Sequence, residues 1–260
     1  MRLIFLGTGT SFGVPQVGCT CRTCSSTDAR DKRTRTSAVI ESDGRRLLID
    51  TAPELRLQLV AAALASVDAV LFTHGHADHV HGIDDLRAIS VKHAGGLPVY
   101  GPGDTLAEMS RRFAYIFDPD VAAAPGTTKP ELHAHALEPD RDTEIAGMPV
   151  RPLRLPHGSD SVFGYRVGPI AYLTDAKAIP EDARAQLGGL AVLVLNGLLS
   201  RPHPLHLSIP EAVSAAQQIG AQRTYLTHLT HETPHAELAA RLPAGIAPAY
   251  DGLAIEVGPV

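Results

Sequence analysis

Apolar residues along this chain fall mostly into short runs rather than long stripes. Runs rich in Val, Ile and Leu, bounded by turn residues, predict strands at Leu3–Leu6, Ala38–Glu41, Leu47–Asp50, Ala69–Thr73, Pro98–Tyr100, Val150–Leu155, Phe163–Val167, Ala171–Thr174, Val192–Leu195, Arg223–Thr227 and Leu253–Val257. Asp43-Gly44 separates two of them and predicts a tight hairpin. Helical spacing is rarer. Thr51-Ala52-Pro53-Glu54 matches a capping box ahead of Leu55, Leu59 and Ala62, and Ser208-Ile209-Pro210-Glu211 matches a second ahead of Ala212, Val213, Ala216 and Ile219. Asp104 predicts the cap of a helix running to about Tyr115. Pro180 opens another that stops at Gly188-Gly189. Strands in pairs and triplets with helices between them predict a mixed α/β sandwich, not a regular βαβ winding. Residues 118–148, rich in Pro, Ala and Gly, read as a long loop or flap, and no firm boundary divides 1–260.

Composition narrows the function classes. At 260 residues the chain can bury one sizeable core. A net charge of −5 disfavours a broad polyanion-binding surface, and the absence of Trp disfavours base stacking, so nucleic acid is not the expected partner. The run Leu3–Leu6 is too short for a signal-peptide core, and no apolar stretch approaches membrane-spanning length. The expectation is a cytoplasmic protein with reduced thiols and no membrane partner.

Two clusters carry candidate chemistry. His74, His76, Asp78 and His79 form H-x-H-x-D-H directly after the strand predicted at Ala69–Thr73. Residues two apart at a strand end point the same way, so His74 and His76 can reach one metal, while Asp78 and His79 reach a second. Solvent-exposed histidines on a polar loop are the alternative. The second cluster is Cys19, Cys21 and Cys24, which are all the cysteines in the chain. Structural zinc needs four ligands, so three thiolates call for a histidine as the fourth; a Cys21–Cys24 redox pair or free thiols are the alternatives.

H-x-H-x-D-H after a strand resembles the metallo-β-lactamase superfamily. The likeness continues through "FLGTGTSFGVP", "LLIDTAP", "RLPHGS", "AYLTDA" and "YLTHLTH". It implies a four-layer αβ/βα sandwich of two mixed sheets flanked by helices. It also implies two divalent ions, Zn2+ or Mn2+: one held by His74, His76 and His157, the other by Asp78, His79 and His228, with Asp175 bridging both. Asp50 either orients a ligand from behind or simply opens the following helix. The implied reaction is hydrolysis by a hydroxide bridging the two ions.

His206, just before the predicted cap Ser208, resembles the histidine that superfamily phosphodiesterases set beside the scissile phosphate, where a helix N-terminus would help hold an anion. His203 competes for that role. Asp78, Asp175 and His206 are therefore the catalytic candidates. A cysteine cluster after the first strand resembles the phosphoribosyl 1,2-cyclic phosphate phosphodiesterase (PhnP-like) branch, which implies His231 as the fourth ligand of a structural Zn2+.

The implied function is opening of a small cyclic or nucleotide-like phosphate diester. RNA 3′-end processing, thioester or lactone hydrolysis, and a non-catalytic metal-binding role rank below it. The expected partner is a small phosphate ester, with a homodimer allowed. Gly7 to Gly13 reads as a turn of close backbone approach. Lys32, Arg33 and Arg35 read as a solvated strand edge, with substrate phosphate as their alternative partner, and His81 is not an expected ligand.

Overall fold

Fourteen strands form two mixed seven-stranded sheets in the computed structural model, which describes residues 1–258. The first sheet takes β1 (Arg2–Gly7), β2 (Ser37–Ser42), β3 (Arg45–Ile49), β4 (Ala69–Leu71), β5 (Leu97–Gly101) and β6 (Leu132–Ala136). The second takes β7 (Thr143–Ile145), β8 (Met148–His157), β9 (Asp160–Val167), β10 (Ile170–Leu173), β11 (Val192–Asn196), β12 (Arg223–Thr227) and β13 (Ile246–Pro248). The last strand, β14 (Ala254–Glu256), returns to pair with β1. The orders are β14-β1-β2-β3-β4-β5-β6 and β13-β12-β11-β10-β9-β8-β7. In each sheet an antiparallel meander hands over to parallel strands: β3 to β6 in the first, β10 to β13 in the second.

Three apolar layers glue four structural ones. Phe5, Ile49 and Leu71 meet Phe163, Tyr165 and Val194 between the sheets. Leu55, Val80 and Leu106 pack helices on the outer face of the first sheet, and Ala212, Ala216 and Leu238 do so on the second. This is the expected αβ/βα sandwich. Strands buried on both faces read as continuous apolar runs, which explains why VLVL in β11 and IAYL in β10 were recognisable. Close approach is needed where it was expected: a Cβ on Gly7 would overlap the Arg35 carbonyl oxygen. The hairpin at Asp43-Gly44 has positive φ at both residues, 50° and 75°.

Four expectations need correction. Residues 118–148 are not one flap, because β6 and β7 close the edges of the two sheets within them. Thr51 caps no helix: its hydroxyl donates to the carbonyls of His79 and Val80, Glu54 pairs with Arg35, and the helix Leu55–Ala61 starts without a side-chain cap. The helix at Asp104 begins one residue earlier, spans Gly103–Arg112, and breaks at Phe113 before a short turn of helix at Ala114–Phe117. The helix after Pro180 ends early, at Glu181–Ala185. The Ser208–Glu211 box forms as expected and opens the helix Ile209–Ile219. Among the described residues no helix is long and apolar enough to cross a membrane.

Candidate metal centre

Strand ends deliver the polar side chains to one place. Asp50 follows β3, His74 lies just beyond β4, Asp175 follows β10 and His228 follows β12. Ligands commonly gather at the carboxyl ends of parallel strands, where the crossover loops leave a crevice. His157 ends β8, and the helix Ala77–Val80 supplies Asp78 and His79. Three of these residues hold left-handed backbone: Asp50 at φ 59°, Asp175 at 58° and His228 at 56°. Such conformations cost about 1–3 kcal/mol each in residues other than glycine and cluster where surrounding packing enforces them.

Asp175 Oδ2 is the geometric centre. It lies 3.1 Å from His206 Nε2, 3.4 Å from His228 Nε2, 3.5 Å from His79 Nε2 and 3.9 Å from His74 Nε2. Asp78 Oδ2 lies 3.5 Å from His79 Nε2 and 3.7 Å from His228 Nε2. Ligand atoms converge within 4.8 Å in the sets His74–His76–His157, His74–His79–Asp175, Asp78–His79–His228 and His157–Asp175–His206.

The imidazoles are oriented from behind. Asp50 accepts from the Thr73 amide and hydroxyl, both at 2.8 Å, and from His79 Nδ1 at 2.7 Å. Because the Thr73 hydroxyl donates to Asp50, it accepts from His74 Nδ1 at 2.9 Å. His157 Nδ1 donates to the Asp175 carbonyl at 2.7 Å. Each of these rings thus presents Nε2 inward. The Nε2 atoms of His74, His79, His157 and His228 are buried without a hydrogen-bond partner among the described residues. Orphaned buried nitrogens are costly, and divalent cations would satisfy all four.

Electrostatics agree with that fit. Burial pushes the Asp175 carboxyl up, but His228, His79 and His206 outweigh it and hold it well below the usual range. Burial lowers His74, His76 and His206, leaving them neutral and able to coordinate. For His79 burial is outweighed by Asp175, Asp50 and Asp78, which raise it well above its ordinary value. The carboxylates around His79 therefore call for positive charge, which a cation supplies.

A second cluster lies on loops. His231 Nδ1 is 3.3 Å from the Sγ atoms of Cys19 and Cys21 and 3.4 Å from that of Cys24. The set is one ligand atom each from three thiols and one imidazole, as a closed tetrahedral zinc site requires. The Cys24 amide against its sulfur is the first cause lowering the Cys21 thiol to about 6.

A profile of the beta-lactamase superfamily domain matches residues 45–229, which carry every active-site candidate from Asp50 to His228. The chain belongs to the metallo-β-lactamase superfamily. It falls in the PhnP-like branch of these hydrolases. A crystal structure of a new diphosphatase from the PhnP family is 38% identical, with a TM-score of 0.91 over 99% of this chain and 98% of that one. Zn2+-bound PqqB from Methylobacterium extorquens, 22% identical, shares the fold with a TM-score of 0.82 over 99% of this chain and 100% of its own. An octanoyltransferase of Porphyromonas gingivalis is 44% identical over 256 residues, 97% of this chain, and the chain spans 51% of that protein's length.

The structure brings His74, His76 and His157 together, Asp78, His79 and His228 together, Asp175 beside His74 and His79, and Cys19, Cys21 and Cys24 around His231. Asp50 accepts from His79 Nδ1, and the helix that follows it starts without a side-chain cap. His206 meets Asp175, whereas His203 meets His206 and accepts from the Leu205 amide, each at 3.3 Å. The helix beyond His206 is not an open anion site: the Ser208 amide and hydroxyl donate to Glu211, the Leu207 amide to the Ala176 carbonyl and the Ile209 amide to the Leu199 carbonyl. The basic run before β2 is tied to the protein's own groups, Lys32 donating to the Cys24 carbonyl. Arg33 is buried, donating to Thr8 Oγ1 and the Ala249 carbonyl, and Arg35 pairs with Glu54.

Sequence reasoning missed three arginines. Arg111, Arg112 and Arg154 line a cavity of about 720 Å³ whose wall includes His74, His76 and His157. No motif marks them; their shared location exists only once the two sheets face each other.

Proposed function

We propose that this hydrolase is a binuclear metal-dependent phosphodiesterase acting on a small phosphate ester, with a cyclic diester as the first substrate class. The observation that carries the reading is Asp175 Oδ2 among the Nε2 atoms of His74, His79, His206 and His228. His74, His76 and His157 would hold one ion, Asp78, His79 and His228 the other, and Asp175 both. Zn2+ and Mn2+ both suit these donors. Such a pair, when bound, lowers the pKa of water towards neutrality and stabilises charge developing on phosphoryl oxygens. Cys19, Cys21, Cys24 and His231 would hold a separate structural zinc.

The protein's own groups then divide the work. Asp50 and Thr73 fix the rings of His79 and His74, so little reorganisation accompanies the reaction. His206, with 12% of its side chain exposed, is held neutral by burial, so its Nε2–H can donate a hydrogen bond to charge developing on the departing oxygen without surrendering its proton. The cavity has the volume of a small-molecule site. A diphosphate is the second substrate class. It is favoured by the arginines on the cavity wall and by the relative described as a diphosphatase. The transferase name attaches to a relative of which this chain spans 51%, and the three thiols here converge on His231 instead of facing the cavity.

Phosphorus NMR of the metal-replete protein with ribose cyclic phosphate, cyclic nucleotides and diphosphate diesters tests the reading. Conversion to monoesters is expected. Asp175→Ala should lose metal and cut turnover by at least about a hundredfold, and His206→Ala should cut it by roughly a hundredfold with metal content intact. Absence of conversion with either metal would overturn the phosphodiesterase assignment and move it to carbonyl substrates.

A further inference from the structure

We propose that Arg33 is a positioning residue for the metal ligand His228, because its guanidinium closes a ring of hydrogen bonds around the stretch of backbone that carries that histidine. The inference rests on the assignment of His228 to the second ion and adds to it the group that sets the ligand's place.

His228 is held differently from the other buried imidazoles. His74, His79 and His157 are each fixed at Nδ1 by a hydroxyl, a carboxylate or a carbonyl. The Nδ1 of His228 is buried with no partner among the described residues. Its ring lies against those of His206 and His79, with centroids 4.9 and 5.9 Å away and planes 17° apart. Stacking restrains the plane of the ring but not the position of Cα. The backbone sets that position, and it does so at a left-handed φ of 56°, which a residue other than glycine keeps only where its surroundings over-determine it.

Those surroundings can be followed bond by bond. On one side of His228 the Leu226 carbonyl accepts from the Ala249 amide at 2.8 Å; on the other the Leu229 amide donates to the Thr8 carbonyl at 2.9 Å. Arg33 reaches both partners: its Nη1 donates to the Ala249 carbonyl at 2.6 Å and to Thr8 Oγ1 at 3.0 Å. The circuit thus leaves Arg33 through Ala249, passes along Leu226 to Leu229, and returns through Thr8. The Thr8 hydroxyl donates to Asp251 Oδ1 at 2.7 Å, which turns its lone pairs towards Arg33. Outside the circuit the Gly197 amide holds the Thr227 carbonyl at 2.9 Å, so the strand end survives loss of Arg33 while the turn at His228 loosens. Arg33 is 3% exposed, and burial pushes its guanidinium down to about 10 against the through-space attraction of Asp251, Asp31 and Asp28. A methionine would fill the same space without a buried charge. What it lacks is the donors that join Ala249 to Thr8.

Zinc-loaded protein dialysed against graded free zinc counts the ions bound per chain and the concentration at which each leaves. Arg33→Met, and Thr8→Val as a variant that keeps the arginine, should each release one equivalent at about tenfold higher free zinc than the wild type, with the other equivalents unmoved. Arg33→Lys retains a donor and should recover part of the loss. In a His228→Ala background Arg33→Met should add nothing further, a non-additivity that a role in general stability would not produce.

Histidine-ring NMR of the same zinc-loaded samples reads the ligand itself. The His228 signals should move in Arg33→Met and Thr8→Val while those of His74 and His157 stay. A wild type that binds fewer than two active-site ions, with the His228 signals still moving in the variants, would end the binuclear reading and leave the positioning role standing. Unmoved His228 signals, a shift of all the imidazoles together, additive losses in the double variant, or an unchanged release profile where two ions bind would each refute the role of Arg33.

Discussion

The histidine–aspartate cluster hangs from strand ends, whereas the cysteine cluster hangs from loops. In the first, His74, His79 and His157 are each gripped at Nδ1 by a group anchored in a sheet end, and each is almost fully buried. In the second, the closest partners are other cluster members and their immediate neighbours: Cys24 Sγ with the Gln16 amide at 3.4 Å and Cys21 Sγ with the Cys24 amide at 3.5 Å. No regular strand runs through residues 18–28, and Cys19 and Cys21 are partly exposed. Packing therefore shapes the first cluster before any ion arrives. In the proposed assignment an ion supplies folding energy to the second, as in small zinc domains whose ligands order only with metal.

Breaking the loop-built cluster should cost more stability than emptying the strand-end one. Cys21→Ser is expected to lower zinc content by one per chain and Tm by roughly 5–10 °C. Asp175→Ala should remove active-site metal with a clearly smaller shift in Tm. Metal analysis and thermal unfolding on the same samples check both. Unchanged zinc stoichiometry in Cys21→Ser would mean that the thiols hold no ion.

The same contrast explains what could be read in the sequence. Strand-end ligands were legible because apolar runs announce buried strands and His74, His76, Asp78 and His79 follow one immediately. The edge strands β6, β7 and β13 were not, since LHAHA, TEI and IAP are short and paired on one side only, so weak patterns suffice there. The box at Thr51 was a false match because tertiary partners claimed both side chains: the His79 and Val80 carbonyls took the threonine, and Arg35 took Glu54. Distant pairings were invisible altogether. Arg111 and Arg154 meet only through the packing of two sheets.

Asp50 tests whether the strand-end cluster owes its shape to the sheet. Its carboxylate is fully buried, and three donors converge on it. Asp50→Ala should weaken active-site metal binding by roughly 10–100-fold and cost about 3 kcal/mol of stability, since it strands the Thr73 and His79 donors. Asp50→Asn tolerates the left-handed backbone and keeps an acceptor, so it should recover stability more than metal affinity. Competition with a fluorescent chelator and urea unfolding separate the two quantities. Unaltered affinity in both variants would leave Asp50 as a purely structural residue.

The smallest effect concerns acid, and it should fall on the loop-built side. His235 follows the cysteine cluster's His231 on the same segment; its amide donates to Asp31 and its Nδ1 lies 3.3 Å from Arg33. Burial first, then Arg33 and Arg30, hold its pKa at about 4 against the partial opposition of Asp28 and Asp31. In the unfolded chain it titrates near about 6.5. Between those values the unfolded state binds the extra proton, so this contribution is present above pH 6.5 and is lost as pH falls towards 4. Protonation of thiolates weakens the neighbouring cluster in the same direction, but it does so equally in a variant that retains the cysteines. Urea midpoints at neutral pH and near pH 5, compared between wild type and His235→Asn at matched zinc content, isolate the histidine. The wild type should lose more stability on acidification than the variant. Equal losses would assign the acid sensitivity to the thiolates alone and leave His235 as a packing residue.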